Sequence, residues 1–183
     1  YDKQARVLRV ETTINSPREF KVRRTRTRNG QQQKVWCPMN KGVTNLGSYQ
    51  KVCRAANERY LNALSVVDDP TPSYQRVSPV TESKLHQRRR YAGFNPARCE
   101  DVRLFQAVLR GEHLLHGFRN ADIRAQLLSP ARTRAEQRRQ ANAISRLIKR
   151  LHVRGLVAKI PRSRRWRVTD KGHSTLGALV RLH

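Results

Sequence analysis

The feature that most constrains the fold is a change of hydrophobic period in the last third of the chain. From the "TRAE" segment (133–136) on to Gly155 the pattern is that of a helix, with apolar residues three or four positions apart as one buried stripe. Gly155 ends that pattern, and two short alternating runs follow, "LVAKI" (156–160) and "RWRVT" (165–169), which are typical of strands. A helical pattern returns at Asp170. The sequence therefore predicts a helix, a two-stranded hairpin and a final helix.

Two more helices are predicted before this segment. Asn95-Pro96 is a typical helix start, because a capping side chain precedes a proline at the first helical position. Asn120 is predicted to cap a second, shorter helix. In the third helix "TRAE" (133–136) is predicted to form a capping box. The stripe that this third helix is expected to bury consists of Ile144, Leu147, Ile148 and Leu151.

The first third of the chain has weaker strand signals. "RVLRVETTI" (6–14) alternates, and "EFKVRRT" (19–25) and "QKVWCPM" (33–39) repeat the alternation around an Asn29-Gly30 turn. We therefore expect a small antiparallel β-meander, incomplete without whatever precedes Tyr1. A chain that opens at Tyr1 within a strand pattern is expected to be part of a longer protein.

A helix is predicted next, and its apolar stripe has two open roles. The stripe would either pair with its copy in a homodimer or cover the meander, so the oligomeric state stays open. The three-proline segment 68–83 is predicted to be a linker, and 84–94, "KLHQRRRYAGF", a basic arm. The predicted regions are thus 1–67, 68–94 and 95–183. The stripe residues are Leu46, Tyr49, Cys53, Ala56, Tyr60, Leu64 and Val67.

The charge balance indicates a polyanionic partner. The chain has 39 Lys and Arg against 13 Asp and Glu, a net charge of +26, and only 37% of its residues are apolar. Residues 84–183 hold 24 basic and 6 acidic side chains, against 15 and 7 in 1–83. Such a field favours phosphate polymers or anionic surfaces. The second half is therefore where we expect the contact.

Three cysteines without close spacing, Cys37, Cys53 and Cys99, fit neither a disulfide framework nor a metal knuckle. We expect a reducing cytoplasm, no cofactor and no membrane association, since no signal peptide or long apolar run is present. His113 and His116 are three residues apart and could share a metal. Because no third ligand is evident, structural or solvated histidines are the expected alternative.

The segment "ISRLIKRLHVRGLVAKIPRSRRWRVTDKG" (144–172) resembles the recognition helix and wing of the winged helix-turn-helix domains found in bacterial regulators. The resemblance extends over about half of the chain. It implies an α+β protein whose region 95–183 is a winged-helix domain, preceded by the small β-meander and helix. It further implies that the exposed face of the third helix enters the major groove of DNA.

Counting 100° per residue, the face opposite the predicted stripe is basic and carries no acid. Arginine fits guanine with two donors, asparagine fits adenine, and serine and lysine suit phosphate. The competing interpretation is a solvated basic face without a partner. Trp166 is expected to anchor the wing on the core rather than to stack on a base. The predicted DNA-binding residues are Arg138, Arg139, Asn142, Ser145, Arg146 and Lys149 on the helix, and Arg162, Arg164 and Arg165 on the wing.

A second, shorter resemblance lies at the N-terminus. "YDKQARVLRVETT" (1–13) resembles a segment of rolling-circle replication initiators in which a strand carries a carboxylate, matched here by Glu11. The alternative is a solvated Glu11 beside Arg9. The chain shows no tyrosine-nucleophile or metal cluster context, so no catalytic residue is assigned. The whole chain also resembles the C-terminal part of long uncharacterised bacterial proteins, which implies a mobile-element setting.

Two function classes follow from these observations. The first is double-stranded DNA binding in the bacterial nucleoid by the C-terminal module of a larger protein. The second is the tail of a DNA-nicking, replication or transposition enzyme whose catalytic residues lie before Tyr1. RNA binding is disfavoured by the few aromatic residues on predicted strands. Docking to another protein is compatible with the fold but not favoured by the charge.

Overall fold

The computed structural model describes residues 2–3, 7–28, 30–65 and 73–181 of an α+β protein. The chain divides into two compact units, Tyr1–Glu58 and Arg59–His183. In the first unit β1 (Asp2–Lys3) pairs with β2 (Val7–Leu8), and β3 (Lys21–Arg28) pairs with β4 (Gln31–Pro38). The helix α1 (Leu46–Ser65) begins in this unit.

The expected meander is instead two separate two-stranded sheets. Strand structure in the alternating run stops after Leu8, because α1 takes up the carbonyl groups that a neighbouring strand would need. The Asn57 amide donates to the Val10 carbonyl at 3.3 Å, and the Cys53 thiol lies 3.9 Å from the Thr12 carbonyl. The prediction of a hairpin around Gly30 is confirmed, with Lys21 opposite Pro38 and Arg28 opposite Gln31.

The predicted stripe of α1 is buried only in its middle. Ala56 is buried and Cys53 is half-buried against the 10–12 segment, whereas Leu46, Tyr60 and Leu64 are exposed. Val67 lies outside the described residues. The middle of the stripe thus covers the neighbouring segment of its own unit, and a homodimer stays a prediction.

Besides the end of α1, the second unit contains six helices and two hairpins among its described residues. The elements are α2 (Ser73–Thr81), β5 (Lys84–His86), β6 (Arg89–Tyr91), α3 (Cys99–Leu109), α4 (His113–His116), α5 (Asn120–Leu127), α6 (Arg134–Val153), β7 (Val157–Lys159), β8 (Trp166–Val168) and α7 (Asp170–Arg181).

One apolar cluster holds this unit together, and α6 is central to it. Ile144, Ile148 and Leu151 are at most 2% exposed, as predicted, while Leu147 is half-buried at the edge of the stripe. They pack in one cluster with Phe105 of α3 and with Leu176 and Leu179 of α7. Burying side chains of this size stabilises the fold by roughly 1.5–3 kcal/mol each.

The helix starts differ in part from the prediction. Thr133 caps α6 as expected, since its hydroxyl accepts from the Glu136 amide at 3.1 Å. The first helix begins at Cys99 and not at Asn95, because the Asn95 side chain accepts from the Ala97 amide and forms a turn. Asn120 is the first residue of α5 rather than its cap.

The expected linker and arm are structured where they are described. Helix α2 lies within 68–83, and its Val80 is 1% exposed in the core cluster. The arm forms the β5–β6 hairpin, in which Lys84 pairs with Tyr91. The proline-containing segment thus belongs partly to the second unit, whose packing extends well before residue 95.

A third strand-like contact ties the hairpin β7–β8 to the helices. The Phe118 amide donates to the Trp166 carbonyl and the Trp166 amide to the Phe118 carbonyl, both at 2.8 Å. Gly117 makes this approach possible: its φ is +69° and its ψ −174°, a region open essentially to glycine alone. A Cβ at Gly117 would lie 2.2 Å from the Trp166 carbonyl oxygen.

Gly117→Ala is therefore expected to lower the free energy of unfolding by about 2–4 kcal/mol, through backbone strain and overpacking. Gly177→Ala is the control, because its added Cβ meets nothing within 4 Å inside α7. That change should raise stability by up to about 1 kcal/mol. Urea unfolding followed by circular dichroism compares the two, and equal stabilities would contradict the role of Gly117.

Candidate nucleic-acid interface

The burial of its apolar stripe fixes which face of α6 points outward. At 100° per residue, the predicted contact residues of α6 lie roughly 100–220° around the helix from Ile144. All are exposed except Lys149, which is half-buried. The structure thus brings all six predicted residues of α6 onto one face, in the order Arg138, Arg139, Asn142, Ser145, Arg146 and Lys149.

Five of these six side chains are available for a partner. Within the described part of the chain, Arg138, Arg139, Asn142, Arg146 and Lys149 make no hydrogen bond or ion pair. Unpaired cations on one helical face attract anions, because nothing nearby neutralises them.

Ser145 is the exception on this face. Its hydroxyl oxygen accepts from the Asn120 amide at 2.9 Å, and the same amide donates to the Ala141 carbonyl at 2.8 Å. Asn120 therefore fixes the start of α5 against the middle of α6. Ser145 acts in part as a link between the two helices, a role that its position in the sequence did not indicate.

Gln137 and Gln140, which turn from the basic face toward the core side of α6, contact the preceding helix and loop. The Gln140 amide donates to the Ser129 carbonyl at 3.0 Å, and the Arg124 guanidinium approaches the Gln137 carbonyl at 3.5 Å. The first turns of α6 thus pack on the α5 segment.

The carboxylates near α6 serve as helix caps. Asp122 accepts from the Arg119 amide at 2.6 Å, and Glu136 accepts from the Arg132 amide at 2.9 Å. Carboxylates at helix starts compensate backbone N–H groups and the positive end of the helix dipole. They therefore leave the side-chain cations of α6 unneutralised.

The C-terminal hairpin presents two of its three predicted arginines. Its loop is closed by the Ile160 amide, which donates to the Arg165 carbonyl at 3.0 Å. Arg162, with a left-handed φ of +57°, and Arg164 are exposed in that loop. Arg165 lies at the base and is half-buried, and its guanidinium donates to the Gly117 carbonyl at 3.1 Å. Arg165 thus contributes to holding the hairpin on the helices.

Trp166 anchors the hairpin as expected. Its half-buried ring meets His152 of α6 edge-on at 5.1 Å between centroids, and the Lys159 ammonium lies 4.7 Å from its centroid. Val168 is buried and Arg167 is exposed, so the predicted alternation along β8 is confirmed. The His152 contact fixes the hairpin beside the C-terminal end of α6.

Sequence reasoning missed a second basic hairpin beside α6. Arg150 of α6 and Arg154, which follows the helix, bind backbone carbonyl groups of the 82–93 segment and hold the β5–β6 hairpin there. Burial lowers the pKa of both guanidinium groups from the usual value of arginine. The run of arginines in "HQRRRY" was visible in the sequence, but its attachment to α6 was not.

The histidine pair has a structural environment. His113 is 8% exposed, and its ring centroid lies 5.5 Å from that of Phe118. Burial lowers the pKa of His113 below its ordinary value, although the neighbouring Glu112 opposes the shift. Throughout the described ranges, no three His, Cys, Asp or Glu side chains are grouped to hold a metal ion. Glu11 lies outside any strand and pairs with Arg9 at 2.5 Å, with both side chains exposed.

Comparison with known proteins returned no match: no family model, no curated protein and no solved structure matches this chain. Across the described residues, no helix combines the length and apolar content that crossing a membrane requires.

The lowered pKa of His113, together with that of the half-buried His173, predicts a pH-dependent stability. An unfolded histidine binds a proton near pH 6.5 more readily than these folded ones, so stability is retained above pH 6.5 and falls as the pH drops below it. His113→Gln is expected to lose less stability between pH 7.5 and 5.0 than the native chain, in urea unfolding at both pH values. An unchanged loss would contradict the prediction.

Proposed function

We propose that the Arg59–His183 unit is a winged-helix module that binds double-stranded DNA, with α6 as its recognition helix and β7–β8 as its wing. The observation that carries the proposal is the outward face of α6: four cations and one asparagine without an intramolecular partner among the described residues. This face stands opposite the stripe that the core buries. A solvated basic surface without a partner would not require the core to hold these side chains in one fixed direction.

The side chains on this face match the chemistry of the major groove. Arg138, Arg139 and Arg146 offer paired donors that fit the O6 and N7 acceptors of guanine, and Asn142 fits the N6 and N7 of adenine. Lys149, near the C-terminal end of α6, suits a phosphate oxygen. A helix of 20 residues is about 30 Å long, so one end of α6 can lie in a groove about 12 Å wide while the other reaches the backbone.

The wing supports the same function. Its exposed loop carries Arg162 and Arg164, while Trp166 and Arg165 hold its base against the helices. Arginines on such a loop contact the phosphate backbone or the minor groove next to the recognition helix. We further propose that this module acts in the bacterial nucleoid.

DNA binding of this kind is strongly salt-dependent, because bound phosphates release their counterions. If about six to eight phosphates are contacted, the plot of log K against log salt is expected to have a slope of roughly −5 to −7. Fluorescence anisotropy with a labelled 30-base-pair duplex measures the slope between 50 and 300 mM salt. A flat response would overturn the proposal.

The double variant Arg138→Gln, Arg146→Gln locates the contact on α6. Binding is expected to weaken at least roughly tenfold at 0.1 M salt, and the slope to become shallower by up to about 2. Its matched control, Arg103→Gln, Arg181→Gln, removes the same charge from exposed positions on α3 and α7, whose packed sides meet the buried stripe of α6. Equal losses in the two variants would show that net charge alone matters.

The wing assignment predicts that duplex binding and folding stability depend on different residues of the hairpin. Arg164→Ala is expected to weaken duplex binding about threefold to tenfold and to leave the unfolding midpoint unchanged, because one exposed cation is lost. Trp166→Ala is expected to lower stability by about 2–3 kcal/mol, because its ring packs on His152. Anisotropy and urea unfolding of both variants test this, and indistinguishable behaviour would contradict the wing assignment.

A further inference from the structure

We propose that the β5–β6 hairpin, residues 84–91, is a second phosphate-binding arm. It contacts the DNA backbone on the side of α6 away from the wing. The inference rests on the proposed function and extends it to a segment with no assigned role in that function. It is carried by three observations: how the hairpin is attached, where it lies around α6, and which side chains it presents.

Arg150 of α6 and Arg154, the residue after the helix, attach the hairpin through the main chain on either side of it. Arg154, 3% exposed, donates to the carbonyl groups of Glu82 at 2.7 Å and of Ala92 at 2.9 Å. Arg150 donates to the Ala92 carbonyl at 3.2 Å and also to the Gly93 carbonyl. Such charge-assisted hydrogen bonds are about twice as strong as neutral ones, so the hairpin is held in a defined position.

An aromatic contact completes the attachment. Phe94 is 2% exposed and packs edge-on against Phe105 in the core, with ring centroids 5.4 Å apart. The Arg150 guanidinium carbon lies 3.9 Å from the centroid of the Phe94 ring, and that of Arg154 lies 5.4 Å from it. A cation over a desolvated aromatic ring contributes about 2 kcal/mol. Phe94, three residues after the hairpin, thus contacts both the core and the arginine side chains that attach the hairpin.

The positions of the attaching residues around α6 determine on which side of the helix the arm lies. Counting 100° per residue from Ile144, Arg150 and Arg154 lie at roughly 240° and 280°, whereas His152, which carries the wing, lies at roughly 80°. The basic face spans roughly 100–220°, is centred near Asn142 at roughly 160°, and lies between them. Arg150 follows Arg146 by one helical turn, about 6 Å along the same side. The two hairpins therefore flank the proposed DNA-binding face from opposite sides.

The side chains that the hairpin presents are cations without partners. Within the described residues, the exposed side chains of Lys84, Arg88, Arg89 and Arg90 make no hydrogen bond or ion pair, and no acidic residue occurs between 83 and 99. Arg150 and Arg154 donate hydrogen bonds to carbonyl groups, whereas the donors of these four side chains have no partner among the described residues. A cationic hairpin of this kind suits the evenly spaced phosphates of a duplex.

The same hairpin is poorly suited to unpaired bases. Its aromatic residue, Tyr91, is half-buried and meets the His86 ring edge-on at 6.5 Å, so the ring is engaged within the hairpin. Proteins that read single strands stack bases on free aromatic rings. The chemistry of the arm therefore favours the backbone of double-stranded DNA.

The test is the triple variant Arg88→Asn, Arg89→Gln, Arg90→Gln in the full chain, measured by anisotropy on the 30-base-pair duplex across the salt range. Asparagine is chosen for position 88 because the backbone there has a φ of +60°. The matched control is Arg103→Gln, Lys171→Gln, Arg181→Gln, which removes equal charge from exposed positions on α3 and α7. Urea unfolding of both variants establishes that they are folded.

We expect the arm variant to bind at least roughly tenfold more weakly at 0.1 M salt, with a slope shallower by about 2–3, and the control to change little. Equal effects in the two variants, or no effect in the arm variant while Arg138→Gln, Arg146→Gln still weakens binding, would overturn the arm and leave the winged-helix proposal standing. If the native chain binds the duplex without salt dependence, both proposals fail together.

Discussion

The packing of α6 into the core is the interaction on which the rest of the second unit depends. Ile144, Ile148 and Leu151 form one narrow stripe, so the core fixes the rotation of the helix about its axis. Every other position of α6 then has a determined direction. The basic residues point outward, Asn120 joins α5 to one flank, and Arg150 and Arg154 hold a hairpin on the other.

Three acidic residues of this unit bind backbone amides and do not neutralise the cations of α6. Asp101, Asp122 and Glu136 each accept a hydrogen bond from a backbone amide at or before a helix start. A carboxylate used in this way stabilises the helix locally by about 0.5–2 kcal/mol. These three acids thus stabilise helix starts without neutralising α6, so a net charge of +26 coexists with capped helices.

The parts of this architecture that the sequence predicts are those encoded by local sequence signals. The cap at Thr133, the stripe of α6 and the alternation along β8 depend on neighbouring residues, and all three are confirmed. Helix α2 was missed because its proline and short length hide a helical period, and its Val80 is recognised as core only in three dimensions. Within the candidate site, the engagement of Ser145 and Arg165 and the attachment of the arm depend on contacts up to 72 residues apart in sequence, which no local pattern encodes.

Both basic hairpins turn through an arginine in the left-handed backbone region, with φ of +60° at Arg88 and +57° at Arg162. Glycine adopts this conformation without steric cost, whereas a side chain there destabilises the fold by about 1–2 kcal/mol. Selection for stability alone would therefore favour glycine at both tips. Arginine at these two positions lowers the free energy of unfolding but keeps a cation at the end of each hairpin. Glycine at the same positions in a related chain would therefore indicate that a charge is not required there.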